Sequence, residues 1–358
     1  MEGTFSRFAR IALPPPRYLW PLSAGIDIST SGAKLAVVRE ASHGLELSVA
    51  DERRFELGVF EHGEMRDREA VAKALRELVR AHGVHEAHVS LPEARAYLFE
   101  TDAEGASPPA WRASIERRID EFVPIPPADV AFDLLPLRPS EKGMRIVGVG
   151  YAQRSIDELL SMLEESGVTA RSLEGETFSV PRALFLPGEG ETVLIIDIGR
   201  STTKVVVATG RIPRYATTLD IGGHALTLAV QKHFGVTEEE AKKVKASQGI
   251  VAGEGSDEYL AAMLSTVSAI RDEILRRLDY WQTHAAPEDR VTRAVLTGGN
   301  ATVRGLAAYL SGALGMPVTD GDVFRNFASI DSWLPPIEKR QSLAYATAIG
   351  LALRDQDF

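Results

Sequence analysis

Cysteine is absent from all 358 residues, so the chain has neither a disulfide framework nor a thiolate metal site, which fits a reducing compartment. No apolar run approaches the roughly 20 residues that a membrane-crossing helix needs, and no signal-peptide core is visible. Basic residues are too few and too scattered for nucleic acid: 40 Lys and Arg stand against 50 Asp and Glu, a net charge of −10. A phosphate-tracking surface needs them in blocks. The G-x-x-x-x-G-K-[ST] phosphate loop is also missing, which excludes P-loop chemistry. These absences predict a cytoplasmic protein without a nucleic-acid partner.

What is present is ordinary globular composition, 44% apolar and 25% charged. The length exceeds what one core fills, since single cores stop growing below about 300 residues, so at least two lobes are expected. The opening "MEGTFSRFARIALPPPRYLWPL" differs in character. Phe5, Phe8 and Ile11 share a helical face ringed by Arg7, Arg10 and Arg17 before Pro14–Pro16 end it. It reads as a tail pinned by Trp20, with a weak membrane or partner contact as the alternative.

From Gly25 the pattern runs strand, turn, strand, followed by candidate strands at 45–49 and 53–57. "DREAVAKALRELVRAHG" then puts Val71, Leu75, Leu78 and Val79 at helical spacing with Gly83 as its stop. Residues 93–173 read as an α+β insertion: a helix over 111–122, strands near 130–137 and 145–152, and a helix capped by Ser155 and stopped by Gly167. A helix at 177–185 leads into a second strand-turn-strand. The stretch from Leu226 to His284 is almost wholly helical in pattern, and "RAVLTGGNATVRGL" gives strand, glycine turn, helix.

The informative feature is a repeat. "GIDISTSGAKLAVV" and "IIDIGRSTTKVVV" each carry an apolar strand, an aspartate, a hydroxyl-rich turn, a lysine seven positions after the acid, and a second apolar strand. Asp27 and Lys34 recur as Asp197 and Lys204. Two such hairpins facing one another enclose a cleft. Small turn residues leave backbone N–H groups and hydroxyls as a nest for phosphate oxygens. A carboxylate at the strand end suits Mg²⁺, which keeps its waters and takes few protein ligands. For either hairpin alone, Asp and Ser as plain turn residues would be the simpler reading. "LTGGNATVRGL" adds a third element, with Gly298 and Gly299 letting a nucleoside lie against backbone.

Other motifs fail. In "HGVHEAH", His85 and His88 are one residue short of H-E-x-x-H, and Gly83 breaks the helix that would align His82 with them. Gly148-x-Gly150 lacks its third glycine, which is Gln153, and so makes no dinucleotide fingerprint.

In order, the three elements resemble the phosphate-1, phosphate-2 and adenosine motifs of the actin/Hsp70/sugar-kinase superfamily. Within it the chain is similar to the PilM family of type IV pilus assembly proteins, relatives of FtsA. The resemblance also rests on "SIERRIDEFVPIPPADVAFDLLPL", "LEGETFSVPRAL", "FGVTEEEAKKVK" and "SLAYATAIGLALR", and covers Gly25 to Arg354. It implies an α/β, actin-like (ribonuclease H-like) two-lobe fold with an FtsA-like inserted subdomain. The implied divisions are a tail at 1–22; subdomain 1A at 23–92, 174–190 and 336–358; inserted 1C at 93–173; 2A at 191–223 and 292–335; and helical 2B at 224–291.

The same resemblance implies roles. Asp27 and Asp197 would hold Mg²⁺ through water. Ser29, Thr30, Ser31 and Gly32, with Gly199, Arg200, Ser201 and Thr202, would cradle phosphates that Lys34 reaches; Lys204 is its repeat counterpart. Glu239 and Lys242 would contact ribose and adenine opposite Gly298, Gly299 and Asn300, and Glu176 falls where the superfamily orients the attacking water. The first motif departs from the pattern, having Ser29 where glycine is usual. A Cβ and hydroxyl there narrow the phosphate approach or add a donor, so ATP and magnesium binding with at most weak hydrolysis is expected.

The implied partner is a PilN-like bitopic membrane protein, whose cytoplasmic N-terminal peptide would enter a groove between the first lobe and the insertion. Other pilus platform or motor proteins and self-association are further implied partners, and the chain would meet the inner face of the membrane through them. The alternatives are a GspL-like component of type II secretion, disfavoured because the chain ends at "RDQDF" without a tether, and FtsA itself, whose amphipathic C-terminal helix has no counterpart after Arg354. A small-molecule kinase would need a base near the terminal phosphate, for which Glu176 is the candidate.

Overall fold

The computed structural model describes residues 22–61, 63–250 and 257–356. The expectations for the N-terminal tail lie outside these residues. Two five-stranded sheets share one topology. In lobe I, β1 (Ser23–Ser29), β2 (Gly32–Ala41) and β3 (Gly44–Arg54) form an antiparallel meander; the two-residue strands β4 (Phe60–Glu61) and β5 (Glu64–Met65) and helix α1 (Arg68–His82) lead to β6 (Glu86–Leu91). The insertion follows: β7 (Tyr97–Glu104), α2 (Pro108–Glu116), β8 (Val130–Ser140), β9 (Gly143–Ala152) and α3 (Gln153–Glu165). β10 (Thr169–Gly175) then completes the first sheet in the order β10-β6-β1-β2-β3.

Helix α4 (Glu176–Leu184) crosses to lobe II, where β11 (Thr192–Ile198), β12 (Thr203–Thr209) and β13 (Ile212–Leu219) repeat the meander. Helices α5 (Gly223–Phe234), α6 (Glu238–Ser247) and α7 (Asp257–His284) precede β14 (Ala294–Thr297), α8 (Leu306–Leu314) and β15 (Val318–Asp320). The second sheet runs β13-β12-β11-β14-β15, the same order as the first. Helix α9 (Lys339–Ser342) and α10 (Ala346–Ala352) bring the chain back to lobe I.

Local chemistry accounts for these elements. The Asp67 carboxylate accepts from the Ala70 N–H at 3.0 Å, and Gly83 closes α1 at φ 64°, a left-handed value that its lack of Cβ permits. Val71, Leu75, Leu78 and Val79 are buried as their spacing predicts, on a helix that packs on β2 and β3. Three boundaries differ from the sequence reading. The two strands expected at 45–49 and 53–57 are one strand, β3, which ends at Arg54 and is joined along its length to β2. Helix α3 begins at Gln153, directly out of β9, so Ser155 is inside it rather than its cap. The 111–122 helix stops at Glu116 and yields to a 3₁₀ turn, Ile119–Glu121.

Alternation along the strands decides where charge can sit. Ala24, Ile26 and Ile28 pack outward against α1 and α3, and Ala33, Leu35 and Val37 do the same from β2. Leu194, Ile196 and Ile198 pack outward in lobe II against α5, α7 and α8. The opposite faces, with Ala36, Val38, Val193, Ile195, Val206 and Ala208, meet α4 and α10 in a core between the sheets. Period two therefore assigns Asp27, Lys34, Asp197 and Lys204 to the inner faces. Helices α4 and α10 cross at contact distance, since a Cβ on Gly350 would lie 1.8 Å from the Ser179 carbonyl oxygen. The sheet of the insertion (order β7-β9-β8) has its own small core and stands against lobe II through Arg214 of β13. Arg214 donates to Asp289 at 3.0 and 3.2 Å and to Glu100 of β7 at 2.9 Å.

Candidate nucleotide site between the lobes

The two hairpins place their charged residues in strict register, Asp27 opposite Lys34 and Asp197 opposite Lys204. Their turns differ. Ser29 pairs with Gly32, leaving only Thr30 and Ser31 at the first tip, whereas the second runs from Gly199 to Thr202 and closes with a Gly199 N–H to Thr202 carbonyl bond of 2.9 Å. Both tips open on one cavity of about 1010 Å³. From the first hairpin it is lined by Asp27, Ser29, Thr30, Ser31 and Lys34, and from the second by Asp197, Gly199, Arg200, Thr202 and Lys204. Glu176, Glu239, Lys242, Gly298, Gly299 and Asn300 line it as well. Gly32 and Ser201 are not among its lining residues. Gly32 instead pairs tightly, its missing Cβ falling 2.3 Å from the Arg53 carbonyl oxygen.

Electrostatics converge at the cavity floor. Lys34 lies 3.8 Å from Asp27, whose other oxygen accepts from Ser90 at 3.3 Å. Lys204 donates to Glu176, at the first turn of α4. Burial, reinforced by Glu176, pushes the Asp27 carboxyl up to about 6, and burial likewise raises that of Asp197. Burial, with Glu176 nearby, pushes Glu93 up to about 7. Lys204 is held above the usual lysine range by Glu176 and Asp197, which outweigh its own desolvation. Four carboxyl groups thus face two ammonium groups, a deficit that a bound cation would fill.

The glycine turn after β14 is fitted to Asp197. Gly298 adopts φ 91°, and a Cβ there would stand 2.2 Å from Asp197 Oδ1. Gly298, Gly299 and Asn300 do not open a helix, contrary to the sequence reading; α8 starts at Leu306 after Gly305 turns the chain at φ 81°. That spacing frees Asn300 to donate to the Gly199 carbonyl at 2.9 Å and to accept from Lys245 at 2.9 Å. Lys245, the last residue of "FGVTEEEAKKVK", has no role assigned from the sequence. Its ammonium also reaches Gly223 O at 3.2 Å and Thr227 at 3.1 Å, and burial pulls it down to about 8. Lys242, one helical turn earlier, pairs with Glu238 and Glu239 at 3.0 and 3.2 Å.

Arg200 spans the cleft rather than lying along it. Its guanidinium donates to the Phe55 carbonyl at 2.9 Å and to that of Thr30 at 3.4 Å, both in lobe I. Ser29, the residue in place of a glycine, lies 3.0 Å from the Ser31 hydroxyl, so its oxygen is engaged within the hairpin. The histidines of "HGVHEAH" do not gather: His82 meets Asp51 at 2.8 Å, whereas His88 meets Ser172 at 2.7 Å. Gly148 and Gly150 serve packing, since Cβ atoms there would collide with Phe99 and Val123. Among the described residues no group of three or more His, Cys, Asp or Glu is arranged to hold a metal ion by itself.

Comparison with known proteins decides the family. The model of "Type IV pilus assembly protein PilM" matches residues 25–356. The chain belongs to the PilM family. A solved "PilM-PilN type IV pilus biogenesis complex" superposes with a TM-score of 0.78 at 21% identity, over 95% of this chain and 99% of that one. MreB5 of Spiroplasma citri bound to ADP gives 0.56 at 11% identity, over 93% and 97%. The ethanolamine utilization protein EutJ from Carboxydothermus hydrogenoformans gives 0.53 at 15%, over 95% and 90%. These similarities establish the two-lobe actin-like fold that the family resemblance implied. No described helix is long and apolar enough to cross a membrane.

Proposed function

We propose that this PilM family member is a nucleotide-binding scaffold of the pilus assembly apparatus, holding magnesium-ATP between its lobes and a PilN-like membrane protein beside its insertion. The observation that carries the nucleotide half is the matched pair of acid-lysine hairpins facing one cavity. Asp27 and Asp197 would hold the metal through its waters, the hairpin tips would meet the phosphates, and Gly298 and Gly299 would admit the nucleoside. When bound, the metal supplies the positive charge that the four carboxyl groups lack. Lys34 and Lys204 orient those acids, and Arg200 holds the lobes together at the rim. Binding, rather than turnover, is the function that this arrangement favours, because Glu176 is already engaged by Lys204.

The partner half rests on family membership and on the likeness to the solved PilM-PilN complex. The partner's cytoplasmic N-terminal peptide would bind between lobe I and the insertion, on the side where α3 packs on α1. Association with the inner face of the cytoplasmic membrane would follow from that partner. Calorimetry with Mg·ATP tests the nucleotide half: nanomolar to micromolar affinity is expected in the wild type, weakened about 100-fold in Asp197→Ala. A wild type that binds no nucleotide refutes it. Titration with a synthetic PilN-like N-terminal peptide tests the partner half, and absence of binding by the intact chain refutes that part alone.

A further inference from the structure

The chain leaves lobe I for the insertion immediately after β6, through a single 3₁₀ turn, Glu93–Arg95. This turn touches three parts of the molecule. Glu93 lines the cleft, and its carboxylate accepts from the Thr177 N–H at 3.1 Å and from the Thr177 hydroxyl. Thr177 directly follows Glu176, the residue that holds Lys204 of lobe II. Two residues beyond Glu93, Arg95 donates to Ser155 of α3 at 3.2 Å and to Glu64 of β5.

The insertion's own sheet reaches the same point. Tyr151 of β9 is buried, and its hydroxyl has no hydrogen-bond partner among the described residues. It rests against Gly175, where a Cβ would come within 2.6 Å of that hydroxyl and 3.3 Å of Glu93 Oε2. Only a glycine lets the floor of lobe I, the acid and the tyrosine meet so closely.

We infer that Glu93 is a positioning residue that transmits occupancy of the cleft to the inserted subdomain. A ligand that alters the Glu176–Lys204 pair moves the first turn of α4. Thr177 carries that displacement to Glu93 through two hydrogen bonds, and the 93–95 turn passes it to α3 through Arg95 and Ser155. The rival path is the Arg214–Glu100 contact, which joins the insertion to lobe II. The inference rests on the nucleotide reading of the cleft and extends it to regulation of the insertion.

Hydrogen exchange of the full chain with and without Mg·ADP separates these. In the wild type the nucleotide should slow exchange over 27–34 and 197–204 and also, by about threefold or more, over 143–165. Glu93→Ala should keep the cleft response and lose that of 143–165; Glu93→Gln, with one acceptor oxygen, should reduce it. Should the alanine variant fail to fold, the glutamine variant decides. An undiminished response at 143–165 in the folded variant overturns the inference and assigns coupling to Arg214. A wild type protected in the cleft but not in the insertion also overturns it. Absence of protection everywhere, with no calorimetric binding of Mg·ADP, instead refutes the nucleotide reading on which it rests.

Discussion

Lys204 donates to Glu176 across the cleft, the lysine standing on a hairpin of lobe II and the acid on the first turn of the helix that leaves lobe I. Asp27 and Asp197 lie close enough to affect both, so the floor holds more acid than base. Removing one member of a buried pair costs about 3–5 kcal/mol, because the remaining charge has no compensation. Lys204→Met should therefore lower stability by roughly that amount in urea unfolding without metal. Magnesium should restore part of the loss, since the same acids then gain a cation. An unchanged midpoint, or a loss that magnesium leaves untouched, would contradict this picture of the floor.

Gly298 tests the fit of the glycine turn. Its φ of 91° disfavours any side chain, and the added methyl would overlap Asp197 Oδ1 at 2.2 Å. Gly298→Ala is expected to cost about 1–3 kcal/mol of stability and to weaken Mg·ATP by at least as much as Asp197→Ala, because it displaces that acid. Gly299→Ala is the control: its Cβ would meet only the Ala344 methyl at 3.6 Å, so near-wild-type stability is expected. Equal losses in the two variants would remove the special role of Gly298.

The hairpins are legible in the sequence because period two and a short turn convert a seven-residue spacing into a direct cross-strand pair, Asp27 with Lys34 and Asp197 with Lys204. Lys245 is not legible. On α6 it looks like one more lysine of a solvated face, and it turns inward only because the 298–300 turn and the start of α5 converge on it from elsewhere in the chain. Glu93 is hidden for the same reason, since "LPEAR" reads as a turn until α4 is packed against it. Arg200 is recognisable as a member of the second hairpin's turn, but its long side chain reaches carbonyls of the other lobe, a choice set by lobe spacing and not by local pattern.

Arg200 consequently predicts a kinetic effect. Its two hydrogen bonds to Phe55 and Thr30, at 2.9 and 3.4 Å, are contacts at the rim that must part when the lobes separate. A charged donor to a carbonyl is worth about 1.5–3 kcal/mol, so Arg200→Ala should speed release of a fluorescent ATP analogue by about tenfold or more in stopped flow. Exchange of the amides at 53–56 should rise in parallel. A release rate equal to that of the wild type would show that the guanidinium does not hold the cleft.

Glu93 gives the pH dependence its sign. Burial keeps the Glu93 proton up to about pH 7, whereas its ordinary carboxyl value is 4.5. Between those values the folded chain binds more protons than the unfolded one, so this group's contribution to stability falls as pH rises through the window and levels off above it. Glu93→Gln cannot release a proton and loses that dependence. The difference in unfolding temperature, variant minus wild type, should therefore become more positive from pH 5 to pH 8 in metal-free buffer. Each tenfold gain in proton affinity is worth about 1.4 kcal/mol, which sets an upper scale of roughly 3 kcal/mol for the whole change. The Thr177 N–H bond favours the ionised form and is already contained in the folded-state value, so it adds no separate pH dependence. A difference that stays flat, or becomes more negative, would mean that Glu93 is already ionised in the folded protein at pH 5.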